Sequence, residues 1–300
     1  MAKVQYINRE NSKLTQEIVY GEEALRFCYE SALGQFLLEN FVKYPWVSKL
    51  YGLYQDTEMS SLKIPQFIKK LGIDESISSK DTSEYKTFNE YFSRKLKKEA
   101  RPIDPQKNSL CIPADGRLTL IPKMSDQKVF SIKGNSFTLK DFLQSGSLAK
   151  KYNNGAMVIL RLCPADYHRY HFPSDGHISA SKRIQGVLYS VNPVAIEKIP
   201  DLFAQNERQI STLKTKQFGD ILMAEVGATM VGKIVQTYKQ NSFIHKGDEK
   251  GYFVFGGSTT VLLFEEGQVE FASDLIQYSQ MGYETLCKMG TFLGKSLQKA

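Results

Sequence analysis

From about residue 110 onward, short apolar runs alternate with clusters of Gly, Pro, Asn and Asp. Runs of this length bounded by turn residues are typical of β-strands, and many short strands with few long helices favour antiparallel pairing. The pattern therefore predicts a mostly antiparallel β-sheet domain. Its predicted strands cover residues 117–121, 156–162, 187–191, 221–226, 229–236, 252–255, 259–264 and 268–271.

The N-terminal third follows a helical pattern instead. Large apolar side chains fill residues 22–54, and polar residues interrupt them at near-helical intervals, which predicts one or two amphipathic helices broken near Pro45. The segment contains Trp46, the only Trp of the chain, together with Tyr and Lys residues that favour a lipid headgroup boundary. Two interpretations stay open: this face meets a membrane surface, or it packs on the rest of the protein.

Two shorter helices and a boundary follow. A basic apolar pattern predicts a helix over 62–72, and Thr87 with Glu90 predicts a capping box at the start of a helix over 87–96. The segment 101–105, which contains two prolines, ends the helical part. We therefore expect an α+β protein, with a helical N-terminal region at the membrane interface, 1–104, and a mostly antiparallel β-sheet catalytic domain, 105–300.

Charge and composition narrow the partners only a little. The net charge is +7, and residues 101–200 carry the whole excess, with 14 Lys and Arg against 7 Asp and Glu. A basic segment favours an anionic partner such as lipid headgroups or nucleic acid, although on charge alone simple solubility explains it better. The four cysteines form no CxxC pair, which fits a reducing compartment. No apolar stretch is long enough for a transmembrane helix, and we expect no signal peptide.

The most distinctive chemistry lies in residues 255–260, FGGSTT, directly before an apolar run. Gly-Gly-Ser alone is typical of a plain loop, but here two strongly apolar predicted strands flank it. Because Gly257 has no Cβ, the Ser258 hydroxyl can approach the Gly257 carbonyl carbon and cut the chain between them, leaving an ester. Elimination from that ester and loss of ammonia would convert Ser258 into a pyruvoyl group at the new N-terminus.

Self-cleavage needs a base, and three of the four histidines lie within ten residues: His168, His171 and His177. His171, oriented by Asp115, can take the hydroxyl proton. Taken alone, Asp115 is typical of an Asp-Gly turn, and a single His is typical of a buried ring that satisfies the backbone. Together with Ser258, we favour an Asp115–His171–Ser258 set. A zinc site at His168 and His171 lacks a third ligand at a suitable spacing, so we expect no metal.

These residues carry a family resemblance, because the sequence resembles phosphatidylserine decarboxylase, the pyruvoyl enzyme that makes phosphatidylethanolamine. The similarity runs from about Thr87 to about Phe271, and its blocks are weak singly and specific together. Gly256 stands where the family usually has Leu, whereas the Gly-Ser pair is retained. The first 86 residues match only loosely. The blocks are FNEYFSR (88–94), RPID (101–104), PADG (113–116), DYHRYHFP (166–173), YSVNP (189–193), LFAQNER (202–208), VGATMVG (226–232), KGDE (246–249), GYF (251–253) and GST (257–259).

The resemblance implies a role for each site residue. Ser258 would be the nucleophile and pyruvoyl precursor, with Gly257 before the cut and Asp115 and His171 as the self-cleavage relay. His168 would serve decarboxylation as a proton donor or as a substrate-positioning group. The covalent pyruvoyl group would be the cofactor, and it would accept the electron pair left by departing CO2.

The same resemblance implies the partners. The enzyme would act on phosphatidylserine at a membrane surface, which the helices in 22–54 and 88–94 would meet. Cleavage would give a large chain, 1–257, and a small chain, 258–300, that share one sheet and stay associated. From the family we expect a homodimer, no nucleic acid, and a peripheral position on the cytoplasmic side of the cell membrane.

Two other functions stay open from the residues alone. An unprocessed serine hydrolase would use Ser258, His171 and Asp115, although no Gly-x-Ser-x-Gly elbow surrounds Ser258. A β-rich membrane-surface or carrier module would contain Gly-Gly-Ser as a mere hairpin. Either protein would remain one polypeptide, so intact mass separates both from a self-cleaving enzyme. Nucleic-acid binding is disfavoured because the basic residues are diffuse and no recognised motif occurs.

Overall fold

The computed structural model describes residues 4–124, 129–132, 135–230 and 233–298. Val231 and Gly232 of the predicted run 229–236, and the last two residues of the predicted small chain, lie outside the described residues. The α-helices are α1 (Glu22–Glu30), α2 (Ala32–Leu37), α3 (Pro45–Gln55), α4 (Ile64–Leu71), α5 (Phe88–Phe92), α6 (Leu139–Leu143), α7 (Gly146–Tyr152), α8 (Pro193–Lys198), α9 (Leu202–Gln205) and α10 (Ser273–Gln280). Leu38–Val42 forms a π-helical turn, and 3₁₀ turns cover Glu58–Lys63, Glu75–Ile77, Thr82–Glu84 and Lys98–Ala100.

The strands form one large sheet and three small ones. They are β1 (Gln5–Asn8), β2 (Lys13–Gln16), β3 (Ser109–Cys111), β4 (Gly116–Ile121), β5 (Val129–Ile132), β6 (Asn135–Phe137), β7 (Ala156–Leu162), β8 (Arg169–His171), β9 (Gly176–Ile178), β10 (Lys182–Ile184), β11 (Arg208–Lys214), β12 (Asp220–Val226), β13 (Ile234–Gln236), β14 (Ser242–Ile244), β15 (Glu249–Phe253), β16 (Ser258–Phe264), β17 (Val269–Phe271), β18 (Glu284–Cys287) and β19 (Phe292–Ser296). The large sheet has the order β14-β9-β11-β12-β16-β7-β4-β18-β1-β2, with β10 beside β11. The small sheets are β13-β15-β8, β17-β19-β3 and β5-β6.

The predicted α+β class is confirmed, with a mostly antiparallel sheet. Strands β7 and β16 lie near its centre, and every residue of both is buried. Their apolar runs, 156–160 in β7 and 261–264 in β16, show no polar alternation, as a strand covered on both faces requires. Among the described strand pairs, β1 and β18 run parallel and the others run antiparallel.

Most of the predicted strands are present, as β4, β7, β12, β13, β15, β16 and β17. The prediction of a strand over 187–191 is wrong. There the Leu188 N–H donates to the Lys43 carbonyl at 2.7 Å, and the Ser190 N–H donates to the Tyr29 hydroxyl at 2.8 Å. These two backbone N–H groups therefore bond to the N-terminal helical region and not to a neighbouring strand. Apolar composition alone cannot reveal such partners.

The N-terminal region combines helices with part of the large sheet. Pro45 begins α3, so the predicted break near it is confirmed, and a second break falls at Ser31 between α1 and α2. Strands β1 and β2, which the apolar pattern did not predict, extend the large sheet beyond β18. The boundary between 104 and 105 stays a prediction. No helix in the described ranges combines the length and apolar character needed to cross a bilayer.

Helix α5 packs inside the protein. Thr87 caps it by accepting a hydrogen bond from the Glu90 N–H at 3.2 Å, as predicted. Its Phe88 and Phe92 rings are buried, and each lies with its centroid 5.0 Å from that of Phe255, just before the Gly-Gly-Ser segment. The expectation that residues 88–94 meet the bilayer is therefore wrong for these side chains, because their apolar surface is already covered.

Candidate active site

Ser258 is the first residue of β16 and is fully buried. Its Oγ has no hydrogen-bond partner among the described residues. Ahead of it, Gly256 has a φ of 137°, a conformation that favours glycine. A Cβ on Gly257 would meet nothing nearer than Val191 Cγ2 at 3.4 Å. Gly256 thus shapes the segment before Ser258, whereas a Cβ on Gly257 would make only van der Waals contact with Val191.

Neighbouring strands bring Asp115 to the same end of the strands as Ser258. Ser258 lies opposite Leu162, the last residue of β7, and β4 begins at Gly116 on the other side of β7. The approach is close, since a Cβ on Gly116 would lie 2.6 Å from the Arg161 carbonyl oxygen. Asp115 precedes β4, so roughly 10 Å, about two strand spacings, separates it from Ser258. If the two side chains act together, a third group must bridge them.

His171 is the candidate bridge, at the end of β8. Its backbone N–H donates to the Pro113 carbonyl at 2.7 Å, which ties it to the loop that contains Asp115. Its ring stacks on Tyr167 with centroids 5.8 Å apart, and Nδ1 is buried without a partner among the described residues. Burial lowers the pKa of His171 to about 4, against the raising effect of the Glu249 and Asp115 carboxylates. The ring is therefore neutral at pH 7, as a general base must be.

Asp115 makes its hydrogen bonds elsewhere. Its carboxylate accepts from Arg101 Nε at 2.8 Å and from the Met289 backbone N–H at 2.8 Å. Met289 lies beyond the predicted cut, so Asp115 contacts both predicted chains. Among the described residues no hydrogen bond joins Asp115 to His171, and the two interact through charge. The Asp115–His171–Ser258 relay stays a prediction, with Asp115 and His171 placed on adjoining segments.

His168 is fully buried, and its neighbours differ from those of His171. Its Nδ1 lies 2.9 Å from the Asp166 carbonyl oxygen, so this nitrogen holds the proton and donates it. Its Nε2 has no partner among the described residues and presents a lone pair. The ring packs on Phe92 with centroids 3.9 Å apart. Burial lowers the pKa of His168 to about 3, so the ring is neutral and must accept a proton before it can donate one.

Asn89 is a structural part of the site that the sequence pattern did not single out. Its Oδ1 accepts a hydrogen bond from the Phe255 N–H at 3.3 Å, and its Nδ2 donates to Asp56 Oδ1 at 2.7 Å. Nδ2 also donates to the Gly52 carbonyl of α3 at 3.2 Å, so Asn89 anchors the segment before the glycines to the end of this helix. The available signal was a polar residue on the buried side of an otherwise apolar short helix.

A cavity of about 320 Å³ opens beside Gly256 and Gly257. Side chains from α1, the π-helical turn and α3 form much of its wall, including Leu25, Leu38 and Tyr51. The wall is mostly apolar, so the cavity suits a ligand with a hydrocarbon portion.

A buried ionic cluster borders the same cavity, and no sequence pattern predicted it. Arg117 pairs with Asp166 and lies 3.2 Å from Glu17, while Arg161 contacts Glu17 at 2.8 Å and Glu284 at 2.6 Å. All five side chains are buried or nearly so. They come from distant parts of the chain without periodic spacing, so only folding brings them together.

Comparison with known proteins identifies the relatives of this chain. A family model described as phosphatidylserine decarboxylase matches residues 88–295, which include Asp115, His168, His171 and Ser258. A Clostridium botulinum (strain Hall) protein named phosphatidylserine decarboxylase proenzyme is 45% identical over 291 residues, covering 97% of this chain and 99% of its own. Proteins of the same name from Clostridium tetani and Clostridium beijerinckii are 43% and 42% identical, each covering 97% of this chain and 98% of the relative.

Proposed function

The chain belongs to the phosphatidylserine decarboxylase family, and on that premise we propose how it makes its cofactor. It is a carboxy-lyase that converts phosphatidylserine into phosphatidylethanolamine and CO2. Ser258 attacks the carbonyl carbon of Gly257, the chain is cut between them, and Ser258 becomes a pyruvoyl group. The observation that carries this proposal is the fully buried Ser258 hydroxyl, without a partner among the described residues, directly after two glycines that line an apolar cavity.

His171 is the base for this self-cleavage. Its neutral ring accepts the proton of the Ser258 hydroxyl, and the nearby Asp115 carboxylate stabilises the resulting imidazolium. The hydrogen bond from the His171 backbone N–H to the Pro113 carbonyl supports this role, because it holds the His171 backbone against the loop that contains Asp115. Burial of the set keeps water from competing with the hydroxyl.

The described residues fit a pyruvoyl group at position 258. The group supplies an electron sink for the pair left behind when CO2 departs. The small chain stays in place after the cut, because β16 is paired along its length with β7 on one side and with β12 on the other. The His168 Nε2 has no partner among the described residues, and its ring is connected to the cleavage segment through Phe92, which packs on Phe255.

His168 moves the protons of the decarboxylation in this proposal. An ammonium group is not nucleophilic, so the headgroup amine of phosphatidylserine must first lose a proton. The neutral His168 Nε2 accepts that proton and later returns it to the carbon that has lost CO2. The Nδ1–H bond to the Asp166 carbonyl supports the accepting step, because it leaves the lone pair on Nε2. Burial lowers the pKa of His168, so the ring is neutral before the substrate binds.

Substrate reaches the cavity from a membrane surface, through a set of exposed apolar residues that we call the lipid face. The cavity wall and the lipid face share α1 and α3, which supports a direct path from the bilayer to Gly257. A homodimer and the cytoplasmic side of the membrane remain predictions from the family. The lipid face consists of Phe27, Leu33, Phe36, Phe41, Trp46, Leu50, Leu53, Met59 and Leu62, each between 44% and 81% exposed.

Intact mass spectrometry tests the self-cleavage. Wild-type protein should give two chains, 1–257 and 258–300, and the smaller should lack an N-terminal α-amino group and react with a hydrazine at its terminal ketone. Ser258→Ala should give one full-length chain without decarboxylase activity. Active wild-type protein that contains only the uncut chain would refute the proposal.

Sedimentation with vesicles tests the lipid face separately. The double variant Leu50→Lys/Leu53→Lys should bind phosphatidylserine-containing vesicles more weakly. The two lysines would place charges where the lipid face enters the apolar part of the bilayer. Met281→Lys is the matched control, since Met281 is 58% exposed but lies directly after α10 and outside the lipid face. Equal vesicle binding by the double variant and the control would contradict this path for the substrate.

A further inference from the structure

The cavity beside Gly257 has one charged corner. Glu17 and Arg161 line it together, and their side chains are only 3% exposed. Arg161 lies on β7 directly opposite Thr259, the second residue after the proposed cut. A guanidinium in this position is close enough to the reacting end of β16 to influence a substrate.

The Arg161 guanidinium has no donor left for a substrate. Glu17 accepts from Nη1 at 3.1 Å and from Nη2 at 2.8 Å, and Glu284 accepts from Nε at 2.9 Å and from Nη2 at 2.6 Å. The Cys163 sulfur accepts the remaining Nη1 hydrogen at 2.9 Å. A guanidinium has five N–H donors, so this set accounts for all of them. Its two carboxylates also outweigh its single positive charge.

Glu17 reaches this corner from the N-terminal segment, directly after β2. Burial opposes its ionisation, but Arg161 and Arg117 outweigh burial and lower the pKa of Glu17 to about 2. The carboxylate is therefore charged at neutral pH. Glu284 approaches from the other direction, on β18 of the predicted small chain. One guanidinium thus joins the N-terminal segment, the central sheet and the small chain.

We propose that Glu17 is a positioning residue that, together with Glu284, keeps Arg161 from binding the carboxylate of the substrate. That carboxylate must leave as neutral CO2, so its negative charge disperses during the step. A free cation beside it stabilises the bound substrate more than the transition state and slows the reaction. A fully occupied guanidinium leaves the carboxylate in a mostly apolar setting. The inference rests on the proposed function, because it concerns the same cavity and substrate.

Glu17→Gln tests the idea. Its amide has one accepting oxygen where the carboxylate had two, so it frees an Arg161 N–H and removes one negative charge. We expect kcat per ketone terminus to fall about tenfold while KM for phosphatidylserine stays equal or decreases. Glu17→Asp, which keeps the charge, should recover most of the loss. Glu10→Gln is the control, because Glu10 lies on the same segment with its side chain 59% exposed.

Binding and a second variant complete the test. The binding assay compares N-acetyl phosphatidylserine with N-acetyl phosphatidylethanolamine, which lacks the carboxylate. Glu17→Gln should favour the carboxylate-containing lipid more strongly than wild type does. Glu284→Gln frees the same guanidinium from the other side and should show the same kcat and KM pattern. An unchanged kcat for Glu17→Gln, with or without a raised KM, would overturn the role of Glu17. Insolubility of both Glu17→Gln and Glu284→Gln would overturn it as well. Ketone termini are counted in every sample, so a wild-type protein without them contradicts the proposed function instead.

Discussion

Removal of the Ser258 hydroxyl should make an uncleaved chain more stable. The comparison needs two proteins that both remain intact, because wild-type protein cuts itself. His171→Ala lacks the proposed base and supplies that background. We therefore compare His171→Ala with the double variant His171→Ala/Ser258→Ala.

The magnitude follows from the surroundings of Ser258. Its side chain is fully buried, and Oγ has no hydrogen-bond partner among the described residues. A buried polar group without a partner costs about 1–3 kcal/mol of folding free energy. Loss of the oxygen leaves a small void that offsets part of the gain. We expect the free energy of unfolding to rise by about 1 kcal/mol, within the range set by these two effects.

Urea unfolding followed by circular dichroism measures the change, with intact mass confirming that both proteins are uncut. Thr260→Val in the same background is the matched control, because Thr260 is buried two residues further along β16 and its Oγ1 also lacks a partner in the described part of the chain. It should stabilise the chain similarly, yet with His171 restored it should still self-cleave. A double variant less stable than His171→Ala by about 1 kcal/mol or more would show that the hydroxyl has a partner, contrary to the geometry.

Three further outcomes are expected. Asp115→Asn should mature more slowly, because His171 loses a stabilising charge; a time course on a denaturing gel that matches wild type would contradict this. His168 and His171 have folded pKa values of about 3 and about 4, below the ordinary 6.5, so the unfolded state binds protons first as the pH falls. Stability should therefore decrease between pH 6.5 and pH 4, by about 3 kcal/mol for each group. His168→Gln should flatten that slope in urea midpoints compared at pH 7 and pH 4.5, and an unchanged slope would exclude His168 as a cause. Arg9→Ala breaks a 2.7 Å ion pair with Asp274, so the small chain should leave processed protein at lower urea in gel filtration, and Arg9→Asp with Asp274→Arg should restore its retention.

Local pattern predicted much of the sheet and the chemistry of the cleavage segment. The apolar runs of β7 and β16 are long enough and continuous enough to indicate buried strands by themselves. Glycine before a hydroxyl residue indicates a backbone that can be attacked, because that property depends on the two residues themselves. Short strands such as β8 and β14, three residues each, have too few side chains for a pattern and were not predicted.

Tertiary structure alone decided what surrounds those residues. The family resemblance led us to place residues 88–94 at the bilayer, whereas Phe92 packs on Phe255 inside the protein. The Asp115–His171 pairing stays a prediction, and the structure adds two hydrogen-bond partners of the Asp115 carboxylate that no pattern indicated, Arg101 and the Met289 backbone. Periodicity reports which face of an element is apolar, but not which distant element covers that face. The partners of a buried charge depend on strand order and register, and these are set by packing over the whole chain.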